Sequence, residues 1–299
     1  MPDPATVMNG LLACEYFDLP SQCVGDTFRI FVARPPFAGP GRLPLILAAD
    51  GNASFTLVTS IQRTLSMGPA VPAAYVVGIG YPTESGFVQA IQKRNRDYTP
   101  TDGGDYARVI LGSNAEAGAA RFLAFLTSEL LPALRERYSI DTDEPTFIGT
   151  SLGALFGTWT LLTAPTTFRR YVLGSPTLFW NNEEVWRWEA ASALTRADLT
   201  ARVFLAAGAL ETAPETRAAA VAMAEKGPAH LRDRAKATVA WCDQHGWPRL
   251  AEVVPELVDK LRSPQYPGLA IHGEILPDET HLSVPPIAIS RGLRHVYGN

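Results

Sequence analysis

"PTFIGTSLGALFGTWTLLT", residues 145–163, decides how this chain is read. A short apolar run ending at Gly149 meets a longer apolar run that opens at Leu152, and the junction between them spells Gly-x-Ser-x-Gly around Ser151. With the Gly and Ser content of this chain, that pentapeptide arises by chance roughly 0.09 times, so its surroundings have to decide what it is. A strand, a sharp turn and a helix are the setting in which a serine hydroxyl is lifted clear of the backbone. Gly149 and Gly153 fit it, because strand and helix then approach too closely for a Cβ.

Further short apolar runs bounded by Gly or Asp repeat the strand half of this unit: "PLILAAD" ending at Asp50, "AAYVVGIG" at Gly80, "YVLG" at Gly174, "RVFLAAG" at Gly208 and "LAIHGEIL" at Leu276. They read as buried strands. Helical patterns lie between them at about 54–67, 115–137, 152–163, 183–195 and 248–262, with a last helix after Ser283 entered through Pro285 and Pro286. The alternation predicts an α/β chain with a mainly parallel sheet and helices on both faces, folded as a single domain over 1–299. "TFRIFVARPP", 27–36, reads as an antiparallel edge strand, since only a short turn separates it from the apolar stretch before it. Two segments look inserted, about 80–118 and about 212–247, and long loops at the C-terminal ends of strands are where such sheets keep ligands.

The chain has 299 residues, 46% of them hydrophobic, which is enough for a large core. A net charge of -4 and no basic run longer than two residues leave no footprint for nucleic acid or an anionic membrane, so small molecules are the expected partners. "MPDPATVMNG" has neither a basic start nor an apolar core, and no window is long and apolar enough to span a bilayer; the expectation is a soluble, cytoplasmic protein. Cys14, Cys23 and Cys242 lack CxxC or Cys/His ligand spacing and read as buried free thiols. The histidines show no HxH or HExxH spacing, so no metal is expected.

A serine needs a base to become a nucleophile, and the base should follow a later strand. Of five histidines, His272 sits inside a strand pattern, His230 and His245 in the inserted helical stretch, and His295 in the last helix. His281, in "PDETHLSVPP" between the last strand and the last helix, is the one placed to reach Ser151. An acid after "RVFLAAG" would orient it: Glu211 is the closer fit, with Glu215 and Asp278 as alternatives. A developing oxyanion would need backbone N–H groups from Leu152 and from the "DGN" loop, Gly51 and Asn52, with the Asn52 side chain able to add one more.

With "DGNASF", "VVGIGYP", "RNRDYTPT", "GTSLG", "GSPTLFW" and "DETHLSVPPIAISRGLRHV" in this order, the chain resembles the esterase family of α/β-hydrolases that includes esterase D and the siderophore trilactone esterases. The resemblance implies the α/β-hydrolase fold, Ser151 as nucleophile, His281 as base, an acid at or near Glu211, and an oxyanion hole from Leu152 and the "DGN" loop. Where relatives often read Gly-His-Ser-x-Gly-Gly, this chain has Thr150 and Ala154, which change the wall beside the serine. The resemblance also places "RNRDYTP" near the site, so Arg94 and Arg96 are candidates for holding an anionic oxygen, or else for pairing with an acid such as Asp97. Phe179 and Trp180, after a strand end, are candidate aromatic walls or core residues. The resulting expectation is a cofactor-free serine esterase acting on small or medium esters or lactones. An acyltransferase using the same acyl-enzyme, a siderophore trilactone hydrolase and a non-catalytic binding protein are the alternatives.

Overall fold

Side chains alternate along the central strands, and the alternation sorts the core into two layers. Leu45 and Leu47, Phe147, Tyr171 and Leu173 join one buried cluster, while Ile46 and Ala48, Ile148 and Val172 join the other. A strand buried on both faces must be apolar at every position, which is why these runs carry no polar alternation. In the computed structural model the described residues are 6–8, 11–37, 39–84, 87–111, 116–262 and 266–298, with the backbone alone at 87 and 88.

The chain opens with β1 (Thr6–Val7), β2 (Cys14–Ser21) and β3 (Asp26–Ala33), followed by β4 (Leu43–Ala48), α1 (Gly51–Leu65), β5 (Tyr75–Gly80), α2 (Phe87–Asp97) and α3 (Gly104–Tyr106). A π-helical turn, Ala107–Leu111, comes next; α4 (Ala119–Phe125) then runs through a π segment, Leu126–Leu130, into α5 (Leu131–Arg137). After these come β6 (Ile140–Thr150), α6 (Leu152–Thr163), β7 (Arg170–Gly174), α7 (Trp180–Glu183), α8 (Val185–Thr195) and β8 (Ala201–Gly208). α9 (Ala213–Lys226), α10 (Ala229–His245), α11 (Leu250–Leu261), β9 (Leu269–Leu276) and α12 (Val284–Tyr297) complete the order.

Among the described residues the strands form one sheet in the order β1-β2-β3-β5-β4-β6-β7-β8-β9. The first three strands are antiparallel to their neighbours, and the pairs from β5 to β9 are parallel. The "TFRIFVARPP" strand is antiparallel but not at the edge: β3 pairs with β2 on one side and β5 on the other, because the apolar stretch before it is itself a strand. α1 and α12 cover one face, and α4–α6, α8 and α11 the other. The first helix begins at Gly51 rather than 54, since Asp50 in the left-handed conformation turns the chain directly into it. The helix expected over 115–137 starts at Ala119, and residue 115 lies outside the described residues, as do 85, 86 and 112–114 of the first inserted segment.

Cys14 and Cys242 are buried free thiols as read, whereas Cys23 is only half-buried. No helix among the described residues is long and apolar enough to cross a membrane.

The layer containing α4 and α6 is built on rings. Phe122 is 0% exposed and meets Phe156 edge-on at 5.1 Å, Tyr98 at 5.3 Å and Phe28 at 5.6 Å. Phe122→Ala should therefore destabilise the fold by about 3–5 kcal/mol, read as a lowered urea midpoint at unchanged m-value. A loss below about 1 kcal/mol would show that the ring cluster does not carry this layer.

Candidate active site

Because β4 to β9 are parallel, their C-terminal ends open on one edge of the sheet, and the loops leaving β4, β6, β7, β8 and β9 all end there. Ser151 leaves β6 with φ 55 and ψ -121, a conformation that a residue with a Cβ adopts only when its surroundings hold it there. Its N–H donates to the Gly174 carbonyl (3.0 Å), and its carbonyl accepts from the Leu155 N–H (3.0 Å), so β7 and α6 grip it from both sides. A Cβ at Gly149 would lie 2.4 Å from the Gly153 carbonyl oxygen, so the turn closes only over glycine; at Gly153 the squeeze is milder, 3.0 Å to the Ala49 Cβ.

His281, in the loop between β9 and α12, places Nε2 3.0 Å from Ser151 Oγ and Nδ1 2.6 Å from Glu211 Oε1. Glu211 is 3% exposed. Its other oxygen accepts from the Ser175 hydroxyl (2.7 Å) and the Gly208 N–H (2.6 Å), so the buried carboxylate is fully hydrogen-bonded. The alternative acids are elsewhere. Glu215 is exposed in the first turn of α9, where the Thr212 hydroxyl accepts from its N–H, and Asp278 is exposed in the turn before His281.

Two residues that sequence reasoning passed over belong to this group. Ser175, with φ 44, donates its N–H to the Ala206 carbonyl (2.6 Å) as well as its hydroxyl to Glu211. Thr177 Oγ1 is 3.5 Å from Ser151 Oγ. The available signal was position: "GSPT" follows the end of the strand adjacent to β6, as Ser151 follows β6 itself.

The "DGN" loop is held by a polar network. Asp50 (φ 55) donates its N–H to the Tyr98 hydroxyl (2.9 Å), and its carboxylate accepts from Arg94 Nε (2.6 Å) and Nη2 (3.0 Å). Burial works against the Arg94 charge, but Asp50 outweighs it and holds the guanidinium above its ordinary pKa. Arg96 pairs with Asp97 (2.7 Å) and Asp26 (3.1 Å). Asp97, in turn, is raised above the usual carboxylate range by burial, despite Arg96. Both arginines are thus committed to acids. Arg94 lines a neighbouring cavity of about 500 Å³, and Arg96 lines neither that cavity nor the one at Ser151. Gly51 is packed against β5, and the Asn52 amide is spent on Tyr81, donating to its carbonyl (2.9 Å) and accepting from its N–H (2.8 Å). Leu152 opens α6, and Gly51 and Asn52 open α1, so their N–H groups belong to the first turns, which have no intrahelical acceptor.

The sequence profile of the family described as "Putative esterase" matches residues 21–241. The chain belongs to this esterase family. It is an ester hydrolase of the serine type. Over 284 residues it is 28% identical to the ferri-bacillibactin esterase BesA of Bacillus subtilis, covering 90% of this chain and 84% of that one. The siderophore triacetylfusarinine C esterase of Aspergillus fumigatus is 32% identical over 146 residues, 48% of this chain and 47% of that one. Among solved structures, the siderophore hydrolase EstA of Aspergillus nidulans superposes with a TM-score of 0.73 at 24% identity, covering 97% of this chain and 96% of that one. The BES protein of Bacillus cereus gives 0.70 at 24%, covering 99% and 98%. The shared fold is that of the α/β-hydrolases.

In this esterase the segment 212–247 is the helical pair α9–α10, and it lines a cavity of about 410 Å³ at Ser151. Phe179 stands on the cavity wall, edge-on to Tyr106 at 5.3 Å. Trp180 does not: it is 0% exposed, turned into the core with its indole N–H on the Thr101 hydroxyl (3.2 Å). Leu282, 88% exposed, separates this cavity from the one beside Arg94. Among the described residues no three His, Cys, Asp or Glu side chains converge as a metal site would require.

The Arg94–Asp50 pair is partly buried and bidentate, so Arg94→Met should cost on the order of 3 kcal/mol by leaving the Asp50 carboxylate unpaired. Arg94→Met with Asp50→Asn should cost clearly less than the sum of the two single changes in a denaturation double-mutant cycle. Strict additivity would mean that the two side chains do not act as a unit.

Proposed function

We propose that the protein hydrolyses carboxylic esters through an acyl-enzyme on Ser151. The observation that carries this reading is the run of two hydrogen bonds from Ser151 Oγ to His281 Nε2 and from His281 Nδ1 to Glu211 Oε1, at 3.0 Å and 2.6 Å. His281 Nε2 takes the hydroxyl proton as Ser151 Oγ attacks the ester carbonyl carbon. The carbonyl oxygen becomes an oxyanion that rests on the Leu152 N–H and on the backbone N–H groups of the Gly51/Asn52 loop. Collapse of the tetrahedral intermediate breaks the bond to the alcohol oxygen, which leaves with the proton from His281. Water, deprotonated by His281, then cleaves the acyl-enzyme and restores Ser151. Glu211 holds the Nδ1–H tautomer and stabilises the imidazolium between these steps.

The substrate class we assign is a small or medium ester or lactone. Similarity to the ferri-bacillibactin esterase along nine-tenths of the chain favours a second reading, hydrolysis of a siderophore lactone or ester. If an alcohol reaches the acyl-enzyme in place of water, the same machinery transfers the acyl group, and product analysis with water and a competing alcohol present tells the two outcomes apart.

Ser151→Ala should abolish turnover of a p-nitrophenyl ester with an unchanged circular dichroism spectrum, and activity within about tenfold of the parent would sink the assignment. Intact mass after brief exposure to an organophosphate should show one adduct in the parent and none in the variant. Glu211→Gln should lower kcat by about 10³- to 10⁴-fold, far more than Asp278→Asn or Glu215→Gln, because only Glu211 meets the imidazole. Equal, small losses across the three would remove the carboxylate from the mechanism.

A further inference from the structure

The cavity at Ser151 is largely apolar. It is lined by Leu152, Leu210 and Leu250, by Tyr106, Phe179 and Trp247, and by small residues of α9 and α10, among them Ala219, Ala220 and Thr238. Among the described residues, no Lys or Arg lines it. The ionisable groups on its surface that face Ser151 are His281 and Glu211, which are already bonded to each other. Cys242 also lines it, and burial with Asp243 nearby pushes that thiol up to about 11, so at neutral pH it is a protonated, weakly polar wall. Arginines on nearby elements are paired: Arg108 with Asp105, Arg217 with Asp243, Arg249 with Glu183 and Glu256, and Arg234 with the Ile110 carbonyl, which ties α10 to the π-helical turn. Beyond Tyr106 and Phe179 the adjoining cavity becomes polar, with Asp105, Asn181, Asn182 and Glu183 on its surface. The apolar space therefore ends on that side, and it lies against the proposed nucleophile.

We infer, on the reading that Ser151 is the nucleophile, that one arm of the ester is an uncharged, largely apolar chain or ring of medium size seated in this cavity beside α9 and α10. An anionic arm would enter without a cation to meet it and would lose its hydration uncompensated, whereas each methylene buried there raises kcat/KM by roughly fourfold until the space is full. The inserted helices thus set specificity. They supply small side chains where bulkier ones would close the cavity.

Two ester series test this: p-nitrophenyl acyl esters from acetate to decanoate, and acetate esters of primary alcohols of rising length. One of the two should climb roughly fourfold per added methylene and level off at medium length. Within whichever series climbs, the medium-length ester should be turned over at least tenfold better than its analogue carrying a terminal carboxylate on that arm, which for the acyl series is p-nitrophenyl pentanoate against p-nitrophenyl hydrogen glutarate. Ala220→Phe should lower the ratio of medium-chain to acetate kcat/KM at least tenfold, and Ala220→Val by an intermediate amount, with folded fraction checked by thermal unfolding. Flat behaviour in both series, preference for the anionic ester, or a chain-length ratio untouched by Ala220→Phe would each overturn the inference. These outcomes leave Ser151 as nucleophile intact, since that assignment falls only if Ser151→Ala still hydrolyses acetate.

Discussion

A carboxylate removed from water must be paid in hydrogen bonds, and Glu211 is met by three groups from three different loops. The Gly208 N–H comes from the end of β8, the Ser175 hydroxyl from the end of β7 and the His281 ring from beyond β9. An unpaired buried carboxylate would cost several kcal/mol, so these loops are held in one relative arrangement by the charge they share. Ser151 depends on that arrangement, because its strained turn is gripped by the Gly174 carbonyl one residue before Ser175. Strand ends, strained elbow and imidazole therefore form one mechanical unit.

A second polar network performs the same task for the loop after β4. Tyr98 and Arg94, from the end of α2 and just beyond it, hold Asp50, and Asn52 staples the start of α1 to Tyr81 at the end of β5. The starts of α1 and α6 then sit side by side, as the closeness of Ala49 to Gly153 attests. Two helix N-termini converging on one place concentrate backbone N–H dipoles there, which suits the oxyanion role proposed for Leu152 and the "DGN" loop. The apolar walls of the cavity add to this, since dipoles and charged hydrogen bonds act more strongly beside low-dielectric surroundings.

The strands and most helices were legible because burial on both faces leaves a local trace: continuous apolar runs that stop at Gly or Asp, spaced by helical patterns. Ser151, His281 and the nearest acid, Glu211, were legible for a related reason. Parallel strands send every C-terminal loop to the same edge, so order along the chain translates into proximity in space. What the sequence left open was where side chains turn and whom they meet. Pairing with Asp97 was one of the readings for the arginines, and Arg96 meets it, but Asp50 lies 44 residues from Arg94 along the chain and Asp26 lies 70 from Arg96. Phe179 and Trp180 were indistinguishable in sequence, yet one lines the cavity and the other is enclosed with its indole N–H on the Thr101 hydroxyl. The strand over 27–36 lost its edge position for a similar reason, since an edge is defined by what does not pair beyond it.

By itself, then, the sequence determined the α/β alternation, the glycine-bounded elbow at Ser151 and the histidine and acid that follow later strands, all of which rest on local periodicity and on chain order. The tertiary structure alone decided which of three acids meets His281, that Ser175 and Thr177 join the group, that both arginines are paired with acids, and that α9–α10 lines a largely apolar cavity beside the serine. Those outcomes depend on long-range pairing of charges and rings, and a group's partner is set by packing rather than by its neighbours in sequence.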